Sequence, residues 1–327
     1  MGTKMAQTQS RSFRSVKLLN SLFGATQIPE LNTGRYGMPA VVIDKYALVI
    51  GGSGPHGRLN DIEAVDLKSG RSETIPTNLI PRRYHRAEMY RGYVVIFGGS
   101  SDIKENSHQV RRVEVYDPAT GSIELARPIP TPRRLSSSVI HDGKIYVFGG
   151  RSAGRRHVVP VEIYDIERDT WMRGAPMPNP REAPVALHNG LVYVVGGFNG
   201  GGAQKSVSVY DISKDAWTSY PDLTSPLSAH RLLVHGDYIF AFGDYKRLDQ
   251  VSSYDTRTAR WSGIANSGYQ ASRHNAAVYH EGNAYIFGGN HATQGSNLKT
   301  IQVCNLDSLL RLPILRFGNA PSAFLTQ

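Results

Sequence analysis

The 327-residue chain carries 37 Lys and Arg against 27 Asp and Glu, a formal net charge of +10, with 40% hydrophobic and 20% charged residues. That balance excludes a disordered polyelectrolyte and points to anionic partners such as acidic peptides, acidic sugars or nucleic acid. A single cysteine, Cys304, excludes an intrachain disulfide framework and a Cys-rich zinc site, and no apolar run reaches the ~18 residues that span a bilayer.

In chain order, residues 1–20 read as a loose basic arm. Its "SVKLLNSLFGA" stretch is too short and polar for a secretory leader, and the weak apolar stripe of Phe13, Val16, Leu19 and Phe23 favours a tail over a membrane anchor. The compartment is left open. A cytoplasmic place comes ahead of a secreted or periplasmic one, which would need a leader removed beforehand.

From residue 21 to 308 the chain repeats. Apolar strands stop at glycine at Gly51, Gly98, Gly149, Gly196, Gly243 and Gly288, at intervals of 47, 51, 47, 47 and 45 residues. The strands read "YALVIGG", "YVVIFGG", "KIYVFGG", "LVYVVGG", "YIFAFGD" and "NAYIFGG". Another apolar strand precedes each across a short turn such as "HDGK". A third follows after a variable loop: "IEAVD", "VEVYD", "VEIYD", "VSVYD", "VSSYD" and "IQVCN". Trp171, Trp217 and Trp261 come six residues after the aspartate of three of them, and a fourth strand then runs into a Pro-rich turn. Each unit thus offers four short strands and no clear helix. One such sheet cannot bury both faces alone, whereas six around an axis bury each face on a neighbour.

The recurring double glycine, Tyr-Asp pair and spaced Trp resemble the kelch repeat. The resemblance implies an all-β fold: a six-bladed β-propeller of four-stranded antiparallel blades. Departures are Val65 for the tyrosine of blade 1, Asp244 for the second glycine of blade 5 and Cys304-Asn305 for the Tyr-Asp of blade 6. Blade 6 lacks a fourth strand, and "ATQIPELNTGRYG" matches "SETIPTNLIPRRY", so residues 22–29 are expected to supply that strand and close the ring. The alternative donor is "LLRLPILRF" in the C-terminal tail, residues 309–327.

Strand alternation puts the loops after the double glycines and the entries to the innermost strands on one face, where Lys and Arg outnumber Asp and Glu. Arg82 stands at such an entry in blade 2, and Arg35, Arg133, Arg181 and Arg273 occupy similar places. Kelch repeats often carry an arginine there, bonded to neighbouring carbonyls, so a structural role competes with ligand binding. Arg83, Arg86, Arg134, Arg155, Arg156 and Arg231 lie outside the repeat pattern and are better ligand candidates. Blades 2 and 5 stand opposite each other and both carry His-Arg, so His85, Arg86, His230 and Arg231 are expected to hold an anion at the channel mouth. Glu88 shares a strand face with Arg86 and is expected to pair with it.

The functional reading is a binding module whose arginine-rich face takes an anionic small molecule or acidic peptide. The alternative is a mutarotase or epimerase of an acidic sugar, by analogy with six-bladed sialic-acid mutarotases, with Glu182 and Glu88 as the available acid–base groups. Nucleic acid ranks third: Tyr36, Tyr84 and Tyr245 accompany the arginines, but no nucleic-acid motif occurs. No metal or cofactor is expected, and the propeller is expected to be a monomer. His141, His188, His235 and His280 share a turn position on separate blades and read as turn packing. "GGFNGGG" reads as a connecting loop and Cys304 as an inert buried thiol.

Overall fold

A computed structural model describes residues 30–102, 109–265, 267–291 and 297–315. Four-stranded antiparallel meanders follow one another: β1 (Ala40–Ile43) to β4 (Ser72–Ile75) in blade 1, β5 (Arg83–Tyr90) to β8 (Ile123–Ala126) in blade 2, and β9 (Ser137–His141) to β12 (Thr170–Gly174) in blade 3. Blade 4 runs from β13 (Val185–His188) to β16 (Ala216–Tyr220), and blade 5 from β17 (Arg231–His235) to β20 (Arg260–Ile264). Blade 6 shows β21 (Ala276–His280), β22 (Asn283–Phe287) and β23 (Ile301–Asn305). The innermost strands β1, β5, β9, β13, β17 and β21 touch in cyclic order, with β21 back on β1. The chain is a closed six-bladed β-propeller.

Its core is six clusters, each between two adjacent blades. Val49 and Val65 of blade 1 meet Val278 and Phe287 of blade 6 in one, and Val192 and Tyr210 of blade 4 meet Phe148 and Ile163 of blade 3 in another. Each blade therefore buries both faces, the condition that required a ring. The repeated Tyr and Trp pack on each other, with ring centroids at 4.9 Å for Tyr164–Trp171, 5.1 Å for Tyr210–Trp217 and 4.9 Å for Tyr254–Trp261.

The double glycine has a steric cause. The backbone entering the next blade crosses directly over it, so a Cβ on Gly149 would lie 2.1 Å from the carbonyl oxygen of Arg181. Gly149 and Gly150 also hold φ of 54° and 85°, a region that side-chain-bearing residues rarely enter.

Ring closure is described in part. Glu30 bridges antiparallel to Thr300, and the Leu31 amide donates to the Lys299 carbonyl at 2.7 Å, which sets the N-terminal segment along the outer side of blade 6. The expected closing strand, residues 22–29, and the arm before it lie outside the described residues. The alternative donor goes elsewhere. After β23 comes a short helix α1 (Leu306–Leu310), capped by Asn305, whose side chain accepts from the Ser308 amide at 2.9 Å. β24 (Ile314–Leu315) then pairs with β20 as a fifth strand of blade 5. α1 is a local exception to the all-strand expectation: Leu306 and Leu309 sink into the blade 5–6 cluster where a hairpin would have turned.

Candidate functional site

Two loop sets share one face, as the strand alternation requires, and between them lies a cavity of about 940 Å³. It is off-axis. Its walls come mainly from blades 3, 4 and 5, with Tyr84 and Arg86 from blade 2 and His274 from blade 6. Its apolar lining is Leu135, Pro184, Phe198 and Pro226. The charged groups are Arg86, Arg134, Arg151, Arg231, Lys246 and Arg247 against Glu182 and Asp244.

The two carboxylates are engaged. Glu182 pairs with the Nε of Arg151; burial pushes its carboxyl up, and Arg151 and Arg134 oppose that. Asp244 is 4% exposed and accepts from the amides of Ser228 at 3.0 Å, Lys246 at 3.3 Å and Arg247 at 3.2 Å. An aspartate in place of the second glycine therefore folds the blade 5 loop back on itself and holds Lys246 and Arg247 at the rim. Arg134 makes no side-chain hydrogen bond or ion pair among the described residues while lining the cavity.

At the cavity floor Arg86 and Arg231 approach from opposite blades. Arg231 donates from Nε to the Asn275 carbonyl at 2.7 Å, and Arg86 from Nε to the Ser136 carbonyl. Each is thereby oriented by its neighbouring blade. Burial, with Arg231 nearby, lowers Arg86 to about 9, and burial lowers Arg231 to about 10. Both stay cationic at neutral pH.

The kelch signature spans this architecture. The chain matches the family described as the KLHDC2/KLHL20/DRC7 Kelch-repeats domain over residues 84–289 and the Kelch motif over residues 34–78. The chain belongs to the kelch-repeat family. Relatives include the spermatocyte protein spe-26 of Caenorhabditis elegans, 29% identical over 204 residues that make up 58% of this chain and 34% of that protein. Beta-scruin of Limulus polyphemus is 25% identical over 269 residues, 75% of this chain and 29% of that one. Kelch-like protein 25 of Xenopus tropicalis is 24% identical over 253 residues, 73% and 42%. The chain thus spans well under half the length of these relatives.

Within the kelch repeat the entry arginines are structural. Arg35, Arg133 and Arg181 are 0% exposed and Arg82 is 1%. Each donates to a double-glycine carbonyl of its own blade: Gly51, Gly98, Gly149 and Gly196. Three also pair with a glutamate on the third strand: Arg35 with Glu63 at 2.9 Å, Arg133 with Glu162 at 2.7 Å, and Arg82 with Glu114. Arg35 and Arg181 are therefore withdrawn from any ligand.

Arg273 corrects the column. The backbone carbonyl that crosses Gly243 belongs to Ser272, so Ser272 is the blade 6 counterpart of these arginines and Arg273 sits one place on, level with Arg83, Arg134 and Glu182. Arg273 stacks 4.1 Å from the Tyr245 ring centroid, and Arg83 lies against Tyr36 and Tyr84 and bonds the Tyr36 hydroxyl. Both are on the loop face, outside the cavity wall. Arg155 is in a 3-10 turn, Ala153–Arg155, and its side chain is outside the described residues.

Of the four residues expected at the channel mouth, the two histidines are withdrawn into the blades. His85 and His230 are each 1% exposed, and burial holds His85 well below its ordinary value and His230 down to about 3. Neutral rings inside the blades supply no positive charge. The expected Arg86–Glu88 ion pair is also absent: Glu88 instead accepts from the Ser138 hydroxyl at 2.6 Å. Burial raises the Glu88 carboxyl to about 7, opposed by Ser138 and Arg86. Glu88 lies below the arginine floor and Glu182 above it, so the two candidate acid–base groups line different cavities.

Sequence reasoning missed Arg151, Phe198 and the origin of the cavity. Tyr84, Leu135, Ala229 and His274 share a left-handed position at the strand entry, with φ between 53° and 58°. Blade 4 has no such residue: Glu182 is followed at once by Ala183, which takes the place held by Ser136 and His85 over the second glycine. The missing side chain opens the wall. Comparing "NPREAP" with "TPRRLSS" would have revealed the deletion.

Proposed function

We propose that this kelch propeller is a recognition module whose loop-face cavity takes an acidic segment of a partner protein. The observation that carries the reading is the charge imbalance in the cavity. Its carboxylates are consumed by Arg151 and by the blade 5 loop amides, whereas Arg134, Lys246 and the terminal nitrogens of Arg231 are left facing it. Desolvated guanidinium groups on a preformed scaffold suit carboxylate recognition, because each gives directed donors with little ordering cost. The apolar lining of Leu135, Phe198 and Pro226 suits an apolar side chain next to the acid. Membership in a family that includes Kelch-like proteins supports a protein partner over a free metabolite.

The test is fluorescence polarisation with a labelled dodecapeptide alternating glutamate, leucine and glycine, read against its glutamine counterpart. Preference for the acidic peptide, weakening as salt rises, and at least tenfold loss in Arg134→Ala and Arg231→Ala are expected. Equal affinity for the two peptides, or full binding by both variants, refutes the reading.

A further inference from the structure

A second cavity, about 380 Å³, continues along the channel beneath the first, and Arg86 and Arg231 line both. Its character changes with depth. Ser137 is level with the arginines, and Glu88 is two strand positions below Arg86, between the two rings that follow. One strand position below Arg86 and Arg231 runs a ring of Ala40, Ala87, Ser138, Val185, Leu232 and Ala277. Two positions further come Val42, Met89, Ile140 and Tyr279. Those three residues of strand correspond to a drop of ~10 Å. Across this distance the wall passes from two guanidinium groups to mostly apolar side chains, with the Glu88 carboxyl and the Tyr279 ring among them.

We infer that the channel is a second binding site, for a small aliphatic monocarboxylate whose head sits between Arg86 and Arg231 and whose tail runs down the apolar stretch. Charge complementarity selects the head group. Both arginines are fixed through Nε by backbone carbonyls of the adjacent blades, Ser136 and Asn275, which leaves terminal guanidinium nitrogens turned to the channel. Ser137 Oγ already takes one bond, from Arg86 Nη2 at 3.3 Å. The apolar rings select the tail, because an acid with a polar tail would leave polar groups unpaired against Val42, Met89 and Ile140. The site goes beyond peptide recognition at the mouth, though both readings use Arg231.

The experiment is calorimetric titration with acetate, butanoate, hexanoate and octanoate, with 1-octanol as the uncharged control. Affinity is expected to rise about fourfold per added methylene, the value of burying one such group, and 1-octanol is expected to bind at least tenfold more weakly than octanoate. Arg231→Met, which removes the charge at similar length, is expected to lose octanoate at least tenfold. Affinity independent of chain length, octanol equal to octanoate, or octanoate retained in Arg231→Met overturns the proposal. If Arg231→Met fails to fold, Ala277→Leu carries the test by narrowing the ring: octanoate is expected to weaken more than acetate, and equal effects overturn it. The two readings fail separately. Arg134→Ala is expected to weaken the acidic peptide and not octanoate, so loss of one ligand class with retention of the other identifies which is wrong.

Discussion

The buried Arg133–Glu162 pair allows a quantitative test of how the blades are held. Both side chains are 0% exposed, at 2.7 Å, and Glu162 also accepts from the Thr131 hydroxyl at 2.6 Å. Burial lowers Arg133 to about 10 while Glu162 opposes that shift, so Arg133 is charged at pH 7 with its partner in place. Removing one member of such a pair strands the other charge and costs about 3–5 kcal/mol. Blade 5 contains the alternative already: Leu227 replaces the arginine, and Ser252 replaces the glutamate. Glu162→Ser and Arg133→Leu are therefore each expected to destabilise by about 3–5 kcal/mol, while the double variant costs at least about 2 kcal/mol less than their sum. Urea denaturation followed by circular dichroism reads this, provided the slope with denaturant is unchanged. Additive single costs would show that the two residues act independently and that the latch is not a unit.

Three other outcomes follow from particular contacts. Ala259 sits at φ 55° where blades 3 and 4 have Asp169 and Asp215, and it leaves the Tyr254 hydroxyl without a bond among the described residues; Ala259→Asn is expected to stabilise by about 0.5–1.5 kcal/mol, from relieved backbone strain and a gained hydrogen bond, read as a higher melting temperature. Glu88 has a folded-state pKa raised from 4.5 to about 7, so the folded protein holds this proton more tightly than the unfolded chain. Stability contributed by the protonated group is complete below pH 4.5 and drains away as pH rises through about 7; relative to Glu88→Gln, the parent should lose about 1–3 kcal/mol between pH 4.5 and 8, and parallel pH profiles would remove Glu88 as the cause. Gly149→Ala is expected to destabilise by several kcal/mol or prevent folding, because its Cβ would meet the Arg181 carbonyl; a variant that melts within 2 °C of the parent would show that the crossing can relax.

The fold was legible because it is repeated. Six strands ending in glycine and three tryptophans in register carry the same information several times, so a departure such as Asp244 or Val65 does not hide the pattern. The entry arginines were legible as a column but not in function, since "R" before a strand reads alike whether it faces a ligand or a glutamate. The signal for the structural role was present as covariation. Glutamate at the second position of "IEAVD", "VEVYD" and "VEIYD" accompanies arginine at the entry and both are missing from blades 5 and 6, although blade 4 keeps Arg181 with Ser208 in the glutamate place. What no pattern of types could give is depth. His85 and Arg86 are adjacent, yet one ring is sealed in the blade and the other side chain reaches the channel, because successive strand residues point to opposite sides.

Several departures from the repeat lie beside the cavity. Blade 4 has lost the left-handed entry residue and carries the Asn199–Gly202 turn, whose Gly201 and Gly202 amides bond back to Asn199 Oδ1 at 3.1 and 3.2 Å. Blade 5 has lost its entry arginine, its second glycine and the aspartate at position 259. In a ring of equivalent units each blade needs the latch and the double glycine equally for closure, so losing them costs stability with no architectural return. Blade 6 shows such losses too, with Ser272 at the arginine place and Asn305 in place of the aspartate, but two of the changes in blades 4 and 5 shape the 940 Å³ cavity: the missing entry residue removes bulk from its wall, and Asp244 holds Lys246 and Arg247 at its rim. Those two changes give the cavity its off-axis shape and its cationic rim, which is the physical ground for proposing recognition there.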